Sequence, residues 1–525
     1  MTVLIGAFEL REMLADGDEL ALVDVREELI FSQSHLLLAR SIPLSRLELN
    51  FARLVPRRAT RVVLCDEGDG LAERAAAVLS RGGYSDVRVL DGGTAAWAAA
   101  GFELFSGVNV PSKAFGEYIE HADGTPSIAP DELERLLRSK ADLVVLDSRP
   151  FDEYVRVSIP TATNVPGAEL VLRAREIAPS PQTTVVVNCA GRTRSIIGAQ
   201  SLINAGLPNK VIALRNGTMG WSLAGFSCDS GKHRRAPAVS PQTRAWAQTA
   251  ARRVALDCGV KSIDRSALEA WRVDGARTLY LFDVRDPTEY ERGHVPGAIS
   301  APGGQLVQAT DQYIGTLEAR IVLVDDAEVR AAMTGSWLRQ MGWADVYVLA
   351  ERGTETGWPA PQILPADRRP DAAVDCAGLE MLLSNKAATV IDLSPSRNYL
   401  AGHIPGAWFA IRSRLAYALP NVAAAGTLML TSEDGALASL AVNEAAALCD
   451  LPVRYLKGGN AAWQAAGKSF STEAKLADDT VDQWRKPYER SGDIKAAMAE
   501  YLAWETDLLP RIERDGTLKF FHLGA

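Results

Sequence analysis

The sequence predicts an α/β fold of four tandem domains, each a mainly parallel sheet flanked by helices. Three observations support this. Four apolar segments end in aspartate: Leu22-Val-Asp24, Val145-Leu-Asp147, Leu281-Phe-Asp283 and Val390-Ile-Asp392. Short apolar runs of this kind read as buried strands. At near-equal intervals each is followed by a second strand, a turn and a tryptophan: Trp97, Trp221, Trp358 and Trp463. Intervals in register mark an internal repeat of about a hundred residues, the size of a domain rather than of a solenoid module. Within each repeat, strands alternate with helical spacing, which implies a parallel sheet covered on both faces with right-handed crossovers.

The length of 525 residues suits three to four domains. A hydrophobic content of 47% is that of a soluble globular chain. The formal charge of −9 argues against nucleic acid as the main partner. The opening Met1-Thr-Val-Leu-Ile-Gly-Ala-Phe-Glu-Leu-Arg-Glu lacks the basic start and long apolar core of a signal peptide, and no run is long enough to span a membrane. The six cysteines, at 65, 189, 228, 258, 376 and 449, form no C-x-x-C pair. That fits a reducing cytoplasm and gives no zinc-ligand spacing.

The first domain is expected over residues 1–105. Arg61-Val-Val-Leu64 is a strand, and Cys65 opens the acidic loop Asp66-Glu-Gly-Asp-Gly70. Counted back from the closing tryptophan, Cys65 stands where Cys189 stands in the second domain. Asp66, Glu67 and Asp69 would raise its pKa and repel an anion, so Cys65 is the second candidate thiol. Gly92-Gly93 is the turn to the last helix. Ser106 to Pro126 mixes Gly, Pro and Ser without sustained periodicity and reads as a linker.

The second domain, 125–228, carries the most informative stretch. Ile128-Ala-Pro130-Asp131-Glu is a helix start, with proline and acids in the first turn. Val185 to Val187 read as a buried strand, and Ile196, Ala199 and Ile203 recur at helical spacing. Between them, Cys189-Ala-Gly-Arg-Thr-Arg-Ser195 sets a thiol between a strand's carboxyl end and a helix's amino end. Open α/β sheets bind ligands at that edge, and unpaired amides with the helix dipole favour an anion there. A free thiol, of pKa about 8.5, is mostly protonated near neutrality. The guanidinium groups of Arg192 and Arg194 would lower that value and attract a small sulfur oxyanion. The bland alternative is a cysteine that merely packs, but two arginines and a glycine beside it suit no core.

Cys189-Ala-Gly-Arg-Thr-Arg-Ser195 resembles the active-site loop of the rhodanese sulfurtransferases. Asp147-Ser-Arg149-Pro-Phe-Asp-Glu153-Tyr154 resembles that family's D-x-R-x-x-x-E-[FY] signature, and Asn216-Gly217-Thr-Met-Gly-Trp221 resembles its closing G-G-x-x-x-W. The resemblance implies four tandem rhodanese-like domains, and a pocket floor shaped by a pair between Arg149 and Glu153. Arg194 gives C-x4-R, whereas phosphatases of the related fold use C-x5-R; Ser195 stands at their arginine position. The shorter loop suits a thiol-bound sulfur better than a phosphoryl group. The loop also departs from the C-G-[SA]-G-V-T pattern of mercaptopyruvate sulfurtransferases, which makes thiosulfate the expected donor.

Residues 229–255 form a second linker. Its basic run, Lys232-His-Arg-Arg235, is too short for a nucleic-acid surface. The third domain, 255–362, follows the family signature from Asp283-Val-Arg285 through Glu289-Tyr290 to Gly293-His294-Val-Pro296-Gly297-Ala298. It has Asp325-Asp326 in place of cysteine, and an aspartate cannot carry a persulfide. This domain is expected to be silent and His294 structural. A proline-rich linker leads to the fourth domain, 372–473. There Thr431 falls at the cysteine position by the same count from Trp463, and a hydroxyl is a far poorer sulfur acceptor. Residues 474–525 are expected to be a helical extension. Its apolar spacing through Ile494, Met498, Tyr501 and Trp504 suits packing on a domain or, in a homodimer, on a second copy.

The resemblance thus implies a thiosulfate sulfurtransferase. Cys189 attacks the outer sulfur of thiosulfate, sulfite leaves, and a thiol or cyanide takes the sulfur from the resulting persulfide. Ala190, Gly191, Arg192, Thr193, Arg194 and Ser195, with Arg149, would bind the substrate, and the loop N–H groups would stabilise charge on sulfur. No metal, organic cofactor, nucleic acid or membrane is expected to take part. The competing class is a binding protein that uses Cys189 to relay sulfur to a partner or to sense it.

Overall fold

The computed structural model describes residues 3–523. Its first sheet holds β1 (Val3–Ile5), β2 (Leu20–Asp24), β3 (Arg40–Ser41), β4 (Arg61–Cys65) and β5 (Asp86–Leu90), in the order β1-β5-β4-β2-β3. The second repeats that order with β6 (Ser127–Ile128), β7 (Leu143–Asp147), β8 (Thr163–Asn164), β9 (Thr184–Asn188) and β10 (Val211–Leu214). The third does so with β11 (Lys261–Ile263), β12 (Leu279–Asp283), β13 (Ile299–Ser300), β14 (Arg320–Val324) and β15 (Val346–Leu349). The fourth is β16 (Ala373–Val374), β17 (Ala388–Asp392), β18 (Trp408–Phe409), β19 (Thr427–Thr431) and β20 (Val453–Leu456), with β21 (Lys475–Leu476) added beside β18. The described strand pairs in the second sheet are parallel.

This order makes β9 and β7 neighbours whose connections leave in opposite directions. The crevice at their carboxyl ends is where an open α/β sheet holds its ligand. The strands sit there because they are apolar on both faces: Val185, Val186, Val187 and Leu146 are all fully buried.

The chain divides into two compact units. One gathers residues 1–10, 21–108 and 361–484, and so joins the first and fourth domains. The other holds 11–20, 109–360 and 485–525, and so joins the second and third domains with the C-terminal helix Ile494–Asp515.

Several expectations need correction. The stretch read as a linker after Ser106 contains a 14-residue helix, Val110–Asp123, buried along Val110, Ala114, Phe115 and Ile119. The proposed helical extension begins instead with β21, a strand of the fourth sheet. The third domain lacks a closing helix. Trp97, Trp221 and Trp463 each donate from Nε1 to a carbonyl six residues on, of Glu103, Ser227 and Ser469. Each of those chains then returns to bridge the second-strand loop, at His35–Phe105, Ser158–Asp229 and His403–Ser471. In the third domain the chain reaches the same bridge, His294–Glu355, directly from β15. Trp358 therefore lies beyond it and is 58% exposed.

The D-x-R signature is structural. Arg26, Arg149 and Arg285 are buried, each 2.6 Å from its aspartate (Asp24, Asp147, Asp283). Each also donates to a carbonyl, of Ser34, Val157 or Gly293. Arg149 thus pairs with Asp147 and not with Glu153. His294 stacks on Tyr290 and its Nδ1 lies 2.9 Å from the Tyr290 carbonyl, which makes it a packing residue.

Within the first unit, Glu27 is buried and accepts hydrogen bonds from Ser45 and Ser413. Burial pushes its carboxyl up to about 7, with the two hydroxyls opposing. A carboxyl raised in the folded state contributes stability below its unfolded pKa, and that contribution is lost as pH rises toward 7. Glu27→Gln is therefore expected to flatten the fall in denaturation midpoint between pH 5 and 8, a slope worth about 3 kcal/mol at most.

Candidate active site

Cys189 lies directly after β9, and the helix Thr193–Asn204 begins four residues later. The residue is 2% exposed. Its Sγ stands 3.4 Å from Ser195 Oγ and 3.7 Å from the Arg192 carbonyl. The Ser195 hydroxyl donates to that carbonyl at 2.8 Å; turned toward the sulfur, the same proton would serve a thiolate. The Cys189 carbonyl is held by the Thr218 amide at 2.8 Å and the Thr218 hydroxyl at 3.0 Å. Gly217 is needed here: its φ is +52°, and a Cβ would stand 2.4 Å from that carbonyl oxygen.

The other three domains show what such a loop holds. In the first domain the Thr94 amide binds the Asp66 carbonyl, as Thr218 binds Cys189, and in the fourth Asn460 binds Ser432. Likewise the carbonyls of Cys65, Asn188, Val324 and Thr431 accept from Val25, Ser148, Val284 and Leu393. Structural register therefore equates Cys189 with Asp66, Asp325 and Ser432. Cys65 and Thr431 correspond to Asn188, one place earlier. Counting from the tryptophan misled because the second domain carries one residue more between its loop and Thr218. Cys65 is fully buried; burial first, then Asp24 and Asp66, push its thiol well up, with Arg26 opposing.

The Asp66 carboxylate accepts from the amides of Gly68 (2.7 Å) and Ala72 (2.9 Å). Asp325 accepts from Ala327 (3.1 Å) and Arg330 (2.7 Å). The loops of the first and third domains thus hold a side-chain carboxylate in an amide cradle. By the same register the amides of Gly191 and Arg194 stand at the Cys189 position, where the anion would be a sulfur, whereas the Ser195 amide donates to the Arg192 carbonyl at 3.1 Å.

The two arginines do not present bare charge to the thiol. Arg192 makes a two-pronged pair with Glu117, at 2.6 and 2.7 Å, and also meets Glu120 and Asn216. Arg194 donates to Glu153 (2.9 Å) and Gln305 (3.0 Å). Burial opposes the Arg194 charge, but Glu153 and then Cys189 more than reverse this and hold its pKa above the usual value. Burial likewise would raise Glu153, yet Arg194 and Lys486 keep it well below the usual carboxylate range. The expected Arg149–Glu153 pair is thus replaced by Arg194–Glu153. Thr193 is buried and donates to Glu505 at 3.4 Å. Met219 braces the loop: its amide donates to the Ala190 carbonyl at 2.9 Å.

Glu117, Glu120, Gln305, Lys486 and Glu505 were not singled out from the sequence. All come from outside the second sheet and its helices. The C-terminal helix packs Met498 and Leu502 on Met219, so its partner is the second domain of its own chain. Among the described residues no cluster of ligands could hold a metal, and no helix is long and apolar enough to cross a membrane.

A family model described as a rhodanese-like domain matches residues 7–100, 129–224 and 265–352, together more than half of the chain. Among solved structures, a thiosulfate sulfurtransferase from Pseudomonas aeruginosa is 48% identical, with a TM-score of 0.96 over 99% of this chain and 100% of that chain. Among curated proteins, a probable adenylyltransferase/sulfurtransferase of Mycobacterium tuberculosis, MoeZ, is 40% identical over 92 residues, 17% of this chain and 23% of that protein. The protein YqhL of Bacillus subtilis is 33% identical over 75 residues, 14% of this chain and 58% of that protein. The match thus spans less than two thirds of either curated relative. With four like sheets, a shared loop register and these matches, the chain belongs to the rhodanese-like domain family.

Proposed function

We propose that this protein is a sulfurtransferase that takes the outer sulfur of thiosulfate on Cys189 and passes it to a thiol or to cyanide. The observation that carries the reading is the loop register. Of the four equivalent positions only Cys189 is a nucleophilic thiol, and it occupies a cradle that elsewhere encloses a carboxylate. The thiolate attacks the outer sulfur, the S–S bond of thiosulfate breaks, and sulfite leaves with the electron pair. The loop amides hold the charge of the persulfide. All six cysteines are free, in keeping with a reducing cytoplasm.

The test is the mass of the protein after exposure to thiosulfate. A gain of about 32 daltons, one sulfur atom, is expected on the peptide bearing Cys189 and not on that bearing Cys65. Cyanide should remove it as thiocyanate. An adduct on Cys65 alone, or none at all, would refute the assignment. The burial of Cys189 favours one second reading, delivery to a protein partner; an adduct that no small acceptor discharges would support it.

A further inference from the structure

Glu505, on the C-terminal helix, is fully buried beside the Cys189 loop. Three donors converge on its Oε1: Lys113 Nζ at 2.9 Å, the Tyr501 hydroxyl at 3.2 Å and the Thr193 hydroxyl at 3.4 Å. Its Oε2 has no hydrogen-bond partner among the described residues. That oxygen faces Gly191, where a Cβ would stand 3.1 Å from it and 2.8 Å from Met219 Cε. Gly191 is the counterpart of Gly68 and Ala327, whose amides hold the built-in carboxylates. The bare oxygen therefore lies against the residue whose amide would hold the transferred sulfur. Arg192 and Glu117 are the other charges within electrostatic reach of Glu505.

A buried carboxylate oxygen without a donor is unfavourable until a donor arrives. Thiosulfate brings no proton, whereas a thiol does. Resting on the function proposed above, we propose that Glu505 is the proton acceptor for thiols that take sulfur from Cys189, a catalytic residue supplied from outside the rhodanese-like domains. The acceptor sulfur attacks the outer persulfide sulfur and a new S–S bond forms. The bond from Cys189 Sγ breaks, and Cys189 leaves as thiolate. The acceptor's proton passes to Glu505 Oε2. Sulfane sulfur changes carrier, and nothing is oxidised or reduced overall.

The test uses full-length protein loaded with thiosulfate, then mixed with dithiothreitol or with an aromatic thiol already ionised throughout the range, following loss of the adduct of about 32 daltons between pH 6 and 9. Both acceptors attack through sulfur and only one arrives with a proton, so their rate ratio isolates the proton. In Glu505→Gln the ratio of the protonated to the ionised thiol is expected to fall about a hundredfold at pH 6.5, the lower end of the range for a general base. The loss should fade toward pH 9, where a thiol of pKa about 8.5 arrives already ionised. The double variant Lys113→Gln, Glu505→Gln removes both charges of the buried pair and must show the same pH-dependent ratio. An unaltered ratio, or a loss equal at every pH, overturns the proposal. Absence of any adduct in the wild type overturns the proposed function along with it, so the two failures are distinguishable.

Discussion

Cys189→Ser is expected to lower sulfur transfer from thiosulfate by roughly a thousandfold or more, as removal of a nucleophile does where no other group can replace it. A hydroxyl is weakly nucleophilic at neutral pH and forms no persulfide. The substitution removes little packing, because the side chain is small and already lies beside the Ser195 hydroxyl. Denaturation should therefore hardly shift, and thiocyanate production should collapse. Cys65→Ser is the control. That thiol lies at the Asn188 position, one residue before the loop, and is fully buried, so its replacement should retain transfer. Equal loss in both variants would overturn the structural register on which the assignment of one active loop depends.

Arg330→Met is expected to cost about 3–5 kcal/mol at neutral pH, the range for breaking a buried ion pair. Arg330 is the counterpart of Arg194 in the third domain and is 2% exposed. It meets Glu169 at 2.8 Å, Glu289 at 2.6 Å, and Asp325 and Asp326 at 2.9 Å. Glu169 belongs to the second domain, so this one side chain ties the second domain to the third. Burial would raise Glu169, but Arg330 and Arg173 outweigh it and hold it below the usual range. A carboxyl depressed in this way stabilises the fold above its unfolded pKa, and that share is lost on acidification. Without Arg330 the crowded carboxylates would be raised instead, so the variant's deficit should be largest at pH 7 to 8 and shrink toward pH 4. Urea midpoints across that range measure it; a deficit that grows on acidification would contradict the account.

Much of this was legible in the sequence because strands and loops are local. The runs at Val185 to Val187 and Ile321 to Val324 need only their own apolar character to be read as strands. Cys189, Arg192 and Arg194 stand within one loop. The register of Cys65 was not legible, because counting assumes equal connections and one is longer by a residue. Nor were Glu117, Glu120 and Glu505, which neutralise or brace the loop from distant parts of the chain. Spacing carries no information about such pairs. The helix Val110–Asp123 was hidden by Pro111 and Gly116, although proline at the first turn suits a helix start. Gly116 is there for close approach: a Cβ would stand 2.9 Å from Thr193 Cγ2.

The order in which the parts are made follows from where Glu505 lies. Nearly three hundred residues separate the helix after Cys189 from the helix that closes over its loop. At translation rates of about 5–20 residues per second, a nascent chain would hold an uncovered loop for roughly 15–60 s. A ribosome stalled anywhere in that interval would carry a thiol-bearing domain already folded but without its cover.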